Sequence, residues 1–230
     1  MVKTLRQTLL ITQIILIYCF PAHSSDISDW VRESGRDQNS IIFKFILTED
    51  RESSSKILKA LGQRSDPYVE DIIESLFYQH LKDNDEENCL EELLRAVLAA
   101  RSTPEDVLKW HSANSNAYNL LIDNLDKLSN PYLKSYIIRL FSFSVVDNSK
   151  SKTALMNEGR QILQSVKTHN GYLIAGGTRE LLELLNAIES LQDPSFMELL
   201  LSFIEHSRQG IIVVKARNVL HLLKDKKAPL

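Results

Sequence analysis

The chain has 230 residues, 43% hydrophobic and 25% charged, with 7 glycines and 6 prolines. That composition is enough to bury a core, and the shortage of turn formers beside a Leu- and Ile-rich apolar set excludes an all-β chain in favour of helices with short connections. The net charge is −3, which supplies no basic footprint for nucleic acid.

The first 24 residues read as a secretory signal peptide. Lys3 and Arg6 form a positive start, and an apolar run from Leu9 to Phe20 follows, interrupted by Thr12 and Gln13. Pro21 ends the run, and Ala22-His23-Ser24 places small residues at the spacing of a cleavage site. A spanning helix needs about 20 apolar residues, more than this run supplies; tethering by an uncleaved segment is the alternative. Cleavage after Ser24 removes two basic charges and leaves 206 residues with 25 basic and 30 acidic side chains, a net of −5. Cys89 is then the remaining cysteine, so no intramolecular disulfide can form. It reads as a buried residue heading an amphipathic run, with an intermolecular disulfide as the alternative. The mature chain is expected in the periplasm or outside the cell.

Residues 25–37 are polar and read as a loose lead-in, and 38–230 as one helical domain without a linker. Apolar residues at three- and four-residue spacing predict helices near 38–47, 53–62, 67–82, 87–101, 104–112, 116–129, 131–146, 151–168, 178–191, 194–208 and 210–224. Asp66-Pro67, Thr103-Pro104, Asn130-Pro131 and Asp193-Pro194 are start signals. The cap side chain accepts from free backbone N–H groups, and proline in the first turn forfeits no hydrogen bond. Gly62, Gly171 and Gly210 read as stops. The stretch 168–177, "THNGYLIAGG", is the longest break, and its apolar middle predicts a packed loop.

Three lines of the chain nearly coincide: "SDPYVEDIIESLF" (65–77), "SNPYLKSYIIRLF" (129–141) and "QDPSFMELLLSFI" (192–204). Aligned on proline, Val69, Leu133 and Phe196 match, as do Leu76, Leu140 and Phe203. An apolar helix precedes each line, so the unit reads as helix, tight turn, helix. Such a unit buries its apolar face by stacking on neighbours. It resembles the HEAT-like, Armadillo-type helical repeats. "DPYV" at 66–69 is similar to their Asp-Pro-x-Val turn, and "VVKARNVLHLL" to a repeat helix with Val-x-x-Ala-x-x-x-Leu packing. The pattern departs from the family where its usual Arg is Glu70 or Lys134. The resemblance implies an all-α, right-handed α-solenoid of stacked hairpins, about ten to twelve helices, whose concave face binds another protein. It implies no chemistry.

Motifs that would carry chemistry fall short of their requirements. "GYLIAGGT" lacks the lysine and the preceding strand of a phosphate loop. "KDNDEENCLEE" (82–92), counted from Asp83, has Asn88 and Leu94 where a calcium loop takes Gly and Glu, so it reads as an acidic turn. Histidines 23, 80, 111, 169, 206 and 221 share no metal-ligand spacing. Glu33-Ser34 is similar to the Glu-Ser of lytic transglycosylases, without their Gly-Leu-Met-Gln stretch and without an apolar pocket to raise the carboxyl. No catalytic, metal or cofactor residue is assigned.

Charge is distributed in blocks. From Asp66 to Glu92 there are ten acidic residues and one basic; from Asn130 to Thr168, six basic and two acidic. In a stacked array this predicts a dipolar rod. Tyr68 and Tyr132 both follow a turn proline and are expected on one edge. The candidate partner-binding residues are therefore Tyr68, Glu70, Glu74, Tyr132, Lys134 and Arg139. The function expected is that of an exported, noncatalytic scaffold or adaptor for a protein or peptide. The alternatives are a cell-envelope hydrolase or lyase, and a subunit that self-assembles through its ends.

Overall fold

A computed structural model describes residues 24–225 except 49, 65, 84–88, 102 and 143–148. Most of the signal segment and the acidic turn at 84–88 therefore lie outside the described residues. Among the described residues there are twelve α-helices, three short 3-10 turns and no strand. The helices are α1 (Ser24–Glu33), α2 (Asn39–Thr48), α3 (Arg51–Gln63), α4 (Val69–Asp83), α5 (Cys89–Ala99) and α6 (Pro104–Ala113). After them come α7 (Ser115–Asp123), α8 (Pro131–Ser142), α9 (Ser149–Thr168), α10 (Gly177–Leu191), α11 (Met197–His206) and α12 (Gly210–Asp225).

The start signals act as their chemistry requires. Asn130 Oδ1 accepts from the N–H groups of Tyr132 (2.8 Å) and Leu133 (3.2 Å). Thr103 Oγ1 accepts from Asp106 N–H at 3.2 Å, and Asp193 from Ser195 N–H at 2.8 Å. After Asp193 the first turn is wound tightly as Pro194–Phe196, so α11 begins at Met197.

Several expectations need correction. The lead-in 25–37 is not loose: it contains α1, where Val31 is fully buried and Trp30 meets Phe45 edge-on with ring centres 6.2 Å apart. Gly62 does not stop α3; a Cβ there would fall 2.5 Å from Ala96 Cβ, so glycine lets α3 and α5 approach closely. Gly210 opens α12 instead of ending a helix. Gly171 does follow a helix end: its N–H reaches Val166 O at 2.8 Å, with Asn170 left-handed at φ 56°. The helix expected at 116–129 stops at Asp123 and continues as the turn Leu125–Lys127.

The helices pack as two series of neighbours. In the first row α1 lies on α3, α3 on α5, α5 on α8, α8 on α10 and α10 on α12. In the second, α2 lies on α4, α4 on α7, α7 on α9 and α9 on α11. Sequence neighbours tie the rows together, through the pairs α2–α3, α4–α5, α9–α10 and α11–α12. Helices α6 and α7 behave as one rod broken at buried Asn114, whose side-chain amide turns back to Trp110 O at 3.0 Å. First-row helices run in the same direction. Asn130, before α8, meets Glu91 at the start of α5, and Gly176, before α10, backs onto Pro131 and Tyr132.

This layout changes the meaning of the three similar lines. The helices they start are α4 and α11 in the second row but α8 in the first. Two rods lie between successive copies, so each copy is three positions on, an odd step that lands it in the other row. The shared motif marks how a helix begins, not an equivalent place in the stack.

Candidate functional site

The N-terminal half is clamped by two buried arginines at the C-terminal ends of first-row helices. Arg64, just past α3, donates to Val31 O (3.0 Å) and Ser34 O (2.7 Å) at the end of α1, and pairs with Asp66 at 2.8 Å. Arg101, just past α5, donates to Val97 O (2.7 Å), Gly62 O (2.6 Å) and Arg64 O. Each guanidinium satisfies carbonyls that a helix end leaves without partners. Burial lowers Arg101 to about 10, which still leaves it charged at neutral pH. The glutamate of the Glu33-Ser34 pair is exposed, and Ser34 Oγ donates to Trp30 O at 2.7 Å, so that pair serves local structure.

The C-terminal half buries a different cluster. Lys134 of α8 reaches Glu158 of α9 at 2.8 Å and lies 3.9 Å from Glu180 of α10. Their exposures are 7%, 2% and 6%. Lys134 is therefore not available as the partner-binding residue its place beside Tyr132 predicts; it is internal because two carboxyls from other helices converge on it. Burial first, then the hydrogen bond and charge of Glu158, push Glu180 up to about 8. Its carboxyl keeps its proton at neutral pH and can donate to Glu158. One ammonium, one carboxylate and one neutral acid then sum to no net charge, the arrangement that makes burial tolerable.

The other candidates are scattered. Glu70 accepts from the backbone and side-chain amides of Asn116, bracing α4 against the start of α7, where the helix dipole favours a carboxylate. Glu74 is exposed on α4 and Arg139 on α8. Tyr68 is exposed beside Arg64, whose guanidinium carbon lies 5.9 Å from its ring centre. Tyr68 therefore sits at the C-terminal ends of first-row helices. Tyr132 sits at their N-terminal ends, beside Gly176. The two tyrosines mark opposite edges of the stack, because the helices they start belong to different rows. The charge blocks are also partly consumed: Asp71 binds Arg36 (2.7 Å), Lys150 lies 3.4 Å from Asp123, and Lys152 lies 2.6 Å from Asp193.

Around Tyr132 the loop 169–176 adds further exposed apolar side chains. Tyr132 is 43% exposed, Tyr172 53% and Ile174 59%. Leu173, between the last two, turns inward against Gly177 and the core. The stretch is pinned at both ends. Gly171 O accepts from Arg208 N–H at 2.8 Å, and Gly176, at φ 83°, leaves no room for a Cβ beside Pro131. The lysine–glutamate cluster lies beneath this edge, with Lys134 two residues from Tyr132 and Glu180 four from Gly176. Separately, a hollow of about 310 Å³ between α7 and the start of α9 is lined by Asp123, Asp126, Lys150 and Asn157 among others. Asp123 and Lys150 face solvent there.

Among the described residues, no group of three or more His, Cys, Asp or Glu could hold a metal ion, and no helix is long and apolar enough to cross a membrane. No family model, curated protein or solved structure matches the chain.

Proposed function

We propose that this protein is an exported, noncatalytic helical-repeat scaffold, a right-handed α-solenoid that binds a protein or peptide partner. The observation that carries the reading is the contrast between its charged cluster and its exposed edge. Lys134, Glu158 and Glu180 are spent on one another inside the packing, whereas Tyr132, Tyr172 and Ile174 face solvent on a pinned support. Exposed aromatics on a rigid element are the usual anchors of a protein interface. The two rows of neighbouring helices support the stacked-repeat reading, and first-row helices pack more extensively than second-row ones, which would bend such an array toward the first row. Lys3, Arg6 and the apolar run after them support export.

The test is quantitative capture from an extract of the source organism's envelope, with the immobilised chain titrated against each identified protein. The reading expects saturable, stoichiometric binding of at least one of them. Absence of any saturable binder, or turnover of an envelope polymer by the purified chain, would contradict it. A second reading, self-association, is favoured by Ile211, Val214 and Leu222, which face solvent on α12 at the end of the first row. Size-exclusion chromatography over a concentration series at low and high salt tests it, and a monomer throughout would remove it.

A further inference from the structure

The loop after α9 has a charge pattern as well as an apolar one. Starting from Gly171, the Arg208 side chain lies alongside, since a Cβ on that glycine would fall 2.6 Å from Arg208 Cγ. Tyr172 and Ile174 follow, with alternate exposure setting both outward and Leu173 inward. Gly176 then carries the surface to the Tyr132 ring, since a Cβ there would fall 3.1 Å from Tyr132 Cε2. One turn further along α8, Arg179 stacks on Tyr136, its guanidinium carbon 4.5 Å from the ring centre. Among the described residues neither Arg179 nor Arg208 is engaged in an ion pair. Lys167, in the last turn of α9, is exposed and adds positive charge near the loop. Among acidic neighbours, Glu91 lies beyond Asn130 and Glu205 beside His206.

We propose that this strip, with Arg208 at one end, Arg179 at the other and Tyr172, Ile174 and Tyr132 between them, binds an acidic protein segment that carries an apolar or aromatic anchor. The inference rests on the protein-binding reading above and names the surface and the partner's chemistry. Charge complementarity selects the partner. Two cations without carboxylate partners attract acidic residues, and Arg offers a planar fork that matches a carboxylate. The three apolar side chains between them supply the desolvated centre that an anchor residue fills. Because the strip is pinned at Gly171 and Gly176, little ordering accompanies binding. An anionic membrane would also attract cations beside apolar groups. Stable membrane binding uses a long amphipathic helical face with cations spread along it, whereas here the apolar side chains project from a short loop.

The test is to pan a phage-displayed library of random 12-residue peptides on the purified chain. Synthetic copies of the enriched peptides are then titrated against wild type, the Tyr172→Ser/Ile174→Ser variant and the Arg179→Gln/Arg208→Gln variant. Far-UV circular dichroism checks that each variant is folded. The expected peptides are acidic with a Leu, Phe, Tyr or Trp. Their affinity should fall about tenfold or more in each variant and weaken with added salt. Basic or neutral winners, or acidic winners indifferent to both variants, would overturn the inference. So would a failure of any peptide to enrich, or tighter loop-dependent binding to vesicles containing anionic lipid. A partner captured from extract with undiminished affinity for both variants would sink this surface while leaving the protein-binding reading intact.

Discussion

At the ends of α1, α3 and α5 the buried charge is arginine set against backbone carbonyls; between α8, α9 and α10 it is a lysine set against two carboxyls. Both devices tie together helices distant in sequence. Their responses to solution conditions differ. A guanidinium that hydrogen-bonds carbonyls holds its charge across the physiological range, and Arg101, even lowered to about 10, does so. Glu180, pushed up to about 8, loses its proton in mildly alkaline solution, so the joint it belongs to is sensitive to pH. The lesson is that buried charge is a permanent clamp in one half and a conditional one in the other, and the conditional one lies under the edge proposed for binding.

The largest effect should come from breaking the C-terminal cluster. Lys134→Met leaves Glu158 buried without its cation and should cost roughly 3–5 kcal/mol in urea unfolding at neutral pH. Lys134→Met/Glu158→Met removes both members of the close pair and should recover more than half of that loss. If the double variant is no more stable than the single, the cluster is not held by that pair. Next in size is Arg101→Met. It deprives the buried carbonyls of Gly62, Val97 and Arg64 of a charged donor and should cost on the order of 3 kcal/mol. The same loss is expected at pH 6 and pH 8.5, and a loss that changed between them would erase the contrast between the halves.

Glu180→Gln sharpens the comparison by removing the titration alone. The Glu180 carboxyl ionises near 4.5 when unfolded but holds its proton to about 8 in the fold. Between these values the folded state binds the extra proton, so this group's stabilisation is full below the lower value, declines as pH rises between them and is lost once pH has passed through the upper one. Glutamine still donates to Glu158 and has no charge to lose. The variant should flatten this part of the pH profile and exceed wild type at pH 8.5 by on the order of 1–3 kcal/mol. An unchanged slope would show that Glu180 does not hold the proton. The smallest effect is expected from the caps. Asn130→Ala leaves the N–H groups of Tyr132 and Leu133 without their acceptor and should cost about 1 kcal/mol, with Asp193→Ala similar although its helix lies in the other row.

Those caps show which part of the fold was legible in the sequence. Asn130 meets partners two and three residues away, so local spacing reveals the helix start. The fate of Lys134 depends on Glu158 and Glu180, on two helices packed against its own. Alignment with Glu70 therefore makes both residues partner-binding candidates, whereas Glu70 braces α7 and Lys134 is internal. Row assignment was hidden for the same reason, since it depends on α6 and α7 forming one broken rod. A better internal match was present: Leu61-Gly-Gln-Arg64-Ser-Asp-Pro67 against Leu98-Ala-Ala-Arg101-Ser-Thr-Pro104. Alignment on proline alone pairs residue 67 with 131, two different rows. Alignment on arginine pairs 67 with 104 and picks out the clamp that both copies share. The edge formed by Tyr132, Tyr172 and Ile174 was half legible. The apolar middle of the loop was visible in the sequence, but its neighbour on α8 depends on the close approach at Gly176.

The contrast between the halves is tested most directly by hydrogen exchange of the folded chain at pH 6 and pH 8.5, corrected for intrinsic rates and read helix by helix. The account predicts that protection falls at the higher pH in α8, α9 and α10 and stays constant in α3 and α5, and that Glu180→Gln abolishes the difference. A uniform loss across the chain, or a loss confined to α3 and α5, would contradict it.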